Sequence, residues 1–283
     1  MSDKDTENNP EVVSFAVIAY MQEDSVRGAI QAAFDQTHSP LEIILSDDCS
    51  GDRTFEIMEE MVAAYQGPHK IRLNRNEKNL GLIGHVNLLF ELAEGTLIIP
   101  AAGDDLSMPD RAKILYEAFE KDRPFMMDTP IFQMDQEGNI VGGVHSRAAE
   151  VAGHTTEKAA HTMRSVIGAS AAWSKEMYDL YGPITEPGTY EDAVFYFRAK
   201  LAGRFLHVPE PLVTYQKGGI SWQRAADERV ARLKKFRLRV ATWKQRRKDL
   251  RTFCQHVENK LMDAEAATLP SIERLERLVE GKH

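Results

Sequence analysis

The sequence predicts an α/β protein: a mainly parallel, doubly wound sheet flanked by helices, followed by a C-terminal helical extension. Three observations carry that expectation. Short apolar runs at residues 12–19, 41–45 and 97–99 alternate with helical stretches, the order from which parallel sheets are built. The runs are continuous rather than alternating, as in strands covered on both faces. The second and third end in turns rich in Asp, Ser and Gly, where open α/β sheets place their ligands.

Taken in order, the first strand (12–19) leads to a helix over 25–35, with Val26, Ile30, Ala33 and Phe34 on one face. The second strand (41–45) runs into Ser46-Asp47-Asp48-Cys49-Ser50-Gly51-Asp52 and a helix over 55–65. A short strand at 70–73 and the turn Asn79-Leu80-Gly81 precede a helix over 83–92. The run at Leu97 ends in Ala101-Ala102-Gly103-Asp104-Asp105, and Met108-Pro109-Asp110 opens a helix with proline where a first turn tolerates it. After residue 123 the rhythm changes. Residues 124–134 and 139–145 read as longer mixed strands around Gln136-Glu137-Gly138. Helices over 174–180 and 190–202 follow, the second stopped by Gly203, then strands over 204–208 and 212–215. From Trp222 the chain reads as helical to its end, with a break at Thr268-Leu269-Pro270.

Charge is unevenly spread. The net of −8 conceals eleven Lys/Arg against one Asp between Arg229 and Arg251, a local +10, so the remainder carries −18. An acidic body with one basic segment argues against a general nucleic-acid binder. Cys49 and Cys254 fit no disulfide framework or zinc spacing and favour a reducing compartment. The first ten residues are polar, expected to be disordered, and lack the apolar core of a signal peptide. No apolar run approaches the roughly 20 residues that span a bilayer. A cytoplasmic location is expected. In the basic segment Val230, Leu233, Phe236, Val240, Trp243, Leu250, Phe253 and Val257 form one apolar stripe on a long helix. Two readings stand: packing on its own domain or a twin subunit, or attachment to the inner face of an anionic membrane.

The candidate chemistry is carboxylate chemistry. Asp104 and Asp105 are hard oxygen ligands suited to Mg²⁺ or Mn²⁺ carrying a diphosphate; an acidic turn capping the next helix is the competing reading. A carboxylate of the Asp47-Asp48 turn can accept a hydrogen bond from a pyrimidine imide, and Tyr20 offers a flat face for a base; turn-forming and rim positions explain both equally well. Glu191 and Asp192 open a helix, where the dipole favours acids, yet a carboxylate there can also deprotonate a hydroxyl. No Gly-x-Ser-x-Gly elbow and no phosphate-binding Gly-x₄-Gly-Lys-Ser/Thr loop occurs, which disfavours serine hydrolase and P-loop chemistry.

From Val12 to Ser221 these segments, in this order, resemble the inverting GT-A glycosyltransferases of family 2. The matching pieces are Val13-Ser14-Phe15-Ala16-Val17-Ile18-Ala19-Tyr20, Gln36-Thr37 before Leu41-Glu42-Ile43-Ile44, Asp47-Asp48-Cys49-Ser50-Gly51-Asp52-Arg53-Thr54, Asn79-Leu80-Gly81 through Asn87, Gly103-Asp104-Asp105 with Met108-Pro109, and Glu191-Asp192. The resemblance implies a GT-A domain over 11–221, its nucleotide-binding half at 11–110 and its acceptor-binding half at 111–221, with the helical extension at 222–283. It implies a metal-dependent enzyme moving a sugar from a nucleotide sugar, UDP favoured, to a glycan or lipid-linked acceptor in surface polysaccharide assembly. Ala19, Tyr20, Asp48, Asn79, Gly81 and Asp104 would then line the donor site. Asp105, helped by Asp104, would bind the divalent cation (Mn²⁺ or Mg²⁺). Asp192 would be the base and Glu191 its positioning partner, with Gly168-Ala169-Ser170 as an acceptor-side wall. Three departures stand out. Ala102 replaces a common further Asp, Met21 replaces a common Asn, and Tyr215-Gln216-Lys217 replaces a loop bearing Arg and His, leaving Lys217 for the diphosphate. The rivals are a sugar-1-phosphate nucleotidyltransferase, which would want a Gly-rich loop at Tyr20-Met21-Gln22-Glu23, and a non-catalytic nucleotide-sugar-binding subunit, against which Glu191-Asp192 argues.

Overall fold

The computed structural model describes residues 12–135, 138–216 and 228–279, the last as backbone alone at 228–232 and 261–279. The expected disorder of residues 1–10 and the contact from Lys217 therefore lie outside the described residues.

Four strands come from the first hundred residues: β1 (Val13–Ala19), β2 (Glu42–Asp47), β3 (Lys70–Arg75) and β4 (Leu97–Ala102). They pair in parallel in the order β3-β2-β1-β4. Helices α1 (Val26–Phe34), α2 (Thr54–Ala64) and α3 (Gly81–Leu92) connect them. The continuous apolar runs follow from two covered faces. Phe15, Val17, Ile43, Leu45 and Ile99 pack one way, toward α1 and α2, while Ala16, Ile44 and Ile98 pack the other way with Val86 and Phe90 of α3.

The second half adds β5 (Leu106–Ser107), α4 (Arg111–Asp122), β6 (Met126–Asp128), β7 (Ile131–Met134), α5 (Ala148–Ala152) and α6 (Thr156–His161). After a 3-10 turn (Gly168–Ser170) come β8 (Ala172–Ser174), α7 (Lys175–Tyr181), α8 (Glu191–Leu201), β9 (Phe205–His207), β10 (Val213–Gln216) and α9 (Glu228–Val279). β8 is antiparallel to both β4 and β6, completing a seven-stranded sheet β3-β2-β1-β4-β8-β6-β9. A second sheet, β5-β10-β7, lies at the acidic turn.

The structure differs from the sequence reading in several places, among them residues 124–134, which split into β6 and β7 in different sheets. Residues 139–145 form isolated bridges, Met134 to Ile140 and Ile131 to His145, instead of a strand; Gly138 and Gly142 take positive φ there and bend the chain out of a ladder. The helix does not break at Pro270: α9 is one 52-residue element, because a proline removes one backbone bond and bends a helix without having to end it. Helix α9 also docks by a polar face about a quarter turn from its apolar stripe, of which Phe253 packs on the domain, stacking on Tyr181. Thr242, Gln245, Arg246 and Asp249 are buried, while Leu233, Phe236, Trp243, Leu250 and Val257 are exposed. Among the described residues no helix is long and apolar enough to cross a membrane.

Candidate active site

The carboxyl edge of β1, β2 and β4 gathers the residues expected to bind a nucleotide. β1 ends at buried Ala19, whose carbonyl accepts from the Asp48 N–H at 2.9 Å. The turn after β1 is tied to the turn after β2. Met21 N–H donates to Ser50 Oγ (2.9 Å), Gln22 N–H to Thr54 Oγ1 (2.8 Å) and Glu23 N–H to Asp52 Oδ2 (3.2 Å). Asp47 is turned inward, accepting from Ser50 N–H at 3.0 Å, so it braces this turn. Tyr20 stands at the rim, 39% exposed, able to present its ring to a base.

Asp48 is 3% exposed and accepts three N–H groups: Asn76 Nδ2 (2.8 Å), Leu80 N (2.8 Å) and Gly81 N (2.9 Å). It therefore caps α3 and is fixed in place. A carboxylate has about four acceptor positions, so one remains for a ligand N–H. Gly81 has φ +68°, a backbone that side chains disfavour, and its N–H is shared with Asn79 Oδ1 at 2.8 Å. Asn79 thus shapes the turn that presents Gly81.

The acidic turn follows β4. Gly103 is required by close approach: an added Cβ would stand 2.6 Å from Gln22 Oε1 and 2.9 Å from Ala19 Cβ. Burial raises the Asp104 carboxyl above the ordinary range against a hydrogen bond from Gln22. Asp105 is 3% exposed. Its Oδ1 accepts from Gln216 N–H at 2.9 Å, while Oδ2 has no partner among the described residues. Burial and the adjacent Asp104 charge push its pKa up to about 8, opposed by the Gln216 N–H and Arg111. Two adjacent, partly desolvated carboxylates, one with an orphaned oxygen, are a donor set that fits a hard divalent cation. Among the described residues no third His, Cys, Asp or Glu joins them, in keeping with Ala102.

Glu191 and Asp192 open α8, on the other side of the 3-10 turn. An added Cβ on Gly168 would lie 3.1 Å from Glu191 Oε1 and 3.4 Å from Asp192 Cβ, so glycine lets the turn close against them. Asp192 Oδ2 accepts from Ser165 Oγ (3.1 Å) and Oδ1 from Ala193 N–H (2.6 Å). Burial raises both carboxyls. Glu191 goes to about 8, helped by the Asp192 charge, whereas Asp192 is also steadied by its Ala193 and Ser165 hydrogen bonds and the charges of Arg147 and Arg246. Of the two, Asp192 has the hydrogen bonds and arginine charges that favour a carboxylate, and Glu191 feels its partner's charge.

Sequence reasoning missed what joins the two halves. Arg111 is wholly buried, donating to Ser107 Oγ (2.9 Å) and to the Ala169 and Ala171 carbonyls (3.2 Å each). It stands between the acidic turn and the 3-10 turn, and burial brings its pKa down to about 10. A cation opening a helix opposes the dipole, and that was its one signal. Asn87 grips Ile184 through both amide atoms, 2.9 and 3.0 Å, across a cavity of about 400 Å³ between α3 and residues 184–189.

A parallel nucleotide half-sheet extended by an antiparallel β8, with acidic sites on both sides of one turn, defines a GT-A fold. The chain belongs to Glycosyl transferase family 2, whose family model matches residues 14–162. It is 26% identical over 191 residues to the chondroitin synthase of Escherichia coli, covering 64% of this chain and 27% of that protein. It is 24% identical over 141 residues to the Escherichia coli UDP-Glc:alpha-D-GlcNAc-diphosphoundecaprenol beta-1,3-glucosyltransferase WfaP, covering 50% and 53%. The chain thus spans about a quarter to a half of the length of these relatives. S. aureus TarS 1-349 in complex with UDP-GlcNAc superposes with a TM-score of 0.57 at 18% identity, over 80% of this chain and 66% of that one.

Proposed function

We propose that this protein is an inverting glycosyltransferase that moves a sugar from a UDP-sugar to a glycan or lipid-linked acceptor in polysaccharide assembly. The observation that carries the reading is the orphaned Asp105 oxygen beside Asp104, on the same sheet edge as Tyr20 and Asp48. Tyr20 would flank the uracil, and the free acceptor position of Asp48 would take its imide N–H, with Ala19, Asn79 and Gly81 shaping that pocket. Lys217 would reach the diphosphate from the segment after Gln216. Asp105 and Asp104 would hold a Mn²⁺ or Mg²⁺ ion, whose charge offsets that of the leaving diphosphate.

The bond-making is assigned to the second carboxylate pair. Asp192, held by Ser165 and Ala193 N–H, takes the proton of the acceptor hydroxyl as its oxygen attacks the anomeric carbon. The bond from that carbon to the diphosphate oxygen breaks on the opposite face, so configuration inverts and the nucleoside diphosphate departs. Glu191, kept protonated near neutrality by burial and by Asp192, orients the acceptor by donating a hydrogen bond. A UDP-sugar is supported by the UDP-GlcNAc complex of TarS and the named donor of WfaP; a lipid-linked acceptor is supported by the named substrate of WfaP. Such an acceptor would bring the protein to a cytoplasmic membrane face.

Calorimetry of UDP, GDP and TDP with and without Mn²⁺, on the wild type and Asp105→Asn, tests the reading. UDP binding that requires the metal and disappears in the variant is expected. Binding unaffected by both metal and substitution would overturn the donor site.

A further inference from the structure

Helix α9 carries two faces about a quarter turn apart. One is spent on its own domain: Arg246 donates to the Ala193, Ala160 and Thr162 carbonyls, and Gln245 Oε1 accepts from Thr185 N–H at 2.8 Å. The other presents Leu233, Phe236, Trp243, Leu250 and Val257 to solvent, Phe236 at 61% and Trp243 at 46% exposure. At 100° per residue these side chains form a ridge over about 36 Å of helix. Soluble surfaces rarely leave such a stripe bare.

Charge decides what covers it. Arg237, Lys244, Arg247 and Arg251 flank the ridge on the side away from the docked face, inside the segment of net +10, and all four are exposed. Among the described residues none of them is in an ion pair. A second copy seated on the ridge would bring its own +10 segment against this one. Negative charge with an apolar interior behind it is the complement.

Beside the ridge a cavity of about 950 Å³ opens between the α5–α6 region and α9, with Trp243 and Arg239 on one wall and Lys158 and Arg164 on the other. Glu150 pairs with Arg164 at 2.7 Å, which leaves Lys158 and Arg239 to face an incoming anion.

We propose that this face of α9 docks the protein on an anionic lipid bilayer, the ridge entering the headgroup layer and the cavity beside Trp243 taking a lipid phosphate. Because Arg246 holds the Ala193 carbonyl at 2.8 Å, the Asp192 end of α8 is braced by the same helix that meets the lipid. The docking depends on no donor, acceptor or catalytic step, so it stands or falls apart from the transfer reaction.

The test is flotation of the full chain with vesicles of phosphatidylcholine alone and of equimolar phosphatidylcholine and phosphatidylglycerol. The protein is expected to float with the second and not the first, and to be released by salt. Leu233→Glu with Phe236→Glu should weaken binding more than tenfold, and each of Arg237→Gln and Lys244→Gln about fivefold. Lys158→Glu should weaken it as well. UDP affinity and circular dichroism, unchanged, show that these variants fold. Failure to float with anionic vesicles at low salt, or wild-type flotation of the double variant, overturns the proposal. Wild-type flotation of Lys158→Glu removes the phosphate site from it. A concentration-dependent dimer abolished by Phe236→Glu assigns the ridge to a second copy instead.

Discussion

Asp192 and Glu191 are chain neighbours with different surroundings, and the proposed division of work between them rests on that difference. Asp192 is held at both oxygens and lies near two arginine charges, whereas Glu191 is raised to about 8 by burial and by Asp192 itself. Environments that push two carboxyls apart are the usual mark of separated proton roles. Asp192→Asn, which keeps the shape and removes the basicity, should lower kcat about 10²–10⁴-fold with the donor KM unchanged; steady-state kinetics read both. Glu191 makes a prediction about stability. Its folded pKa lies above the ordinary glutamate value, so its stabilising contribution is full below about pH 4.5 and is lost as pH rises to about 8. Glu191→Gln should therefore gain in Tm relative to the wild type between pH 5 and pH 8. A Tm difference that stays flat over that window would show that Glu191 is not held protonated.

At the scale of single elements, strand ends and helix starts are assembled by backbone geometry that only some residues reveal. Gly81 at φ +68° delivers its own N–H and that of Leu80 to Asp48. Gly81→Ala should cost about 1–3 kcal/mol in urea unfolding and weaken UDP binding together with it. Gly153→Ala, at a helix end with negative φ and open space for a Cβ, is the control that should do neither. Asp48, Asn79, Gly81 and the acidic turn were legible because each belongs to a local run whose turn chemistry shows in the letters. The network behind Asp48 was not. Ser46 Oγ meets His85 Nε2 at 2.7 Å and Asn74 Nδ2 at 2.9 Å, and Asn74 in turn holds Asn76. His85 and Ser46 lie 39 positions apart on different elements, and no spacing rule connects them. The two- and three-residue strands β5 and β8 escaped for another reason: they are too short to show a period.

At the scale of the molecule, α9 shows where a pattern of apolar residues misleads. Five residues of the apolar stripe are exposed and Phe253 packs on the domain; an apolar stripe is expected to face the core, and here the buried face is polar. Arg198 makes a bidentate pair with Asp249 (3.0 and 2.9 Å) and also donates to the Gly182 carbonyl at 2.9 Å, while Gln245 joins Asp249 at 3.0 Å. Such a seam has no sequence signature, because its partners sit some fifty residues earlier and every member reads as surface. It also braces the candidate site. The same helix face holds Thr185, Glu186 and Ala193 through Gln245 and Arg246, so the backbone on both sides of Glu191-Asp192 is braced from α9. Asp249→Ala strands the Arg198 charge in the interior and should cost about 3–5 kcal/mol, with kcat falling as α8 loses its brace. Arg198→Met combined with Asp249→Leu replaces the pair by apolar bulk, which is often neutral or stabilising. Urea unfolding should therefore show the double variant recovering most of the lost stability. Because Gln245 and Arg246 still reach residues 185–193, kcat should recover with it. Stability restored without activity would mean that the ion pair itself, rather than the docking of α9, sets the position of the base.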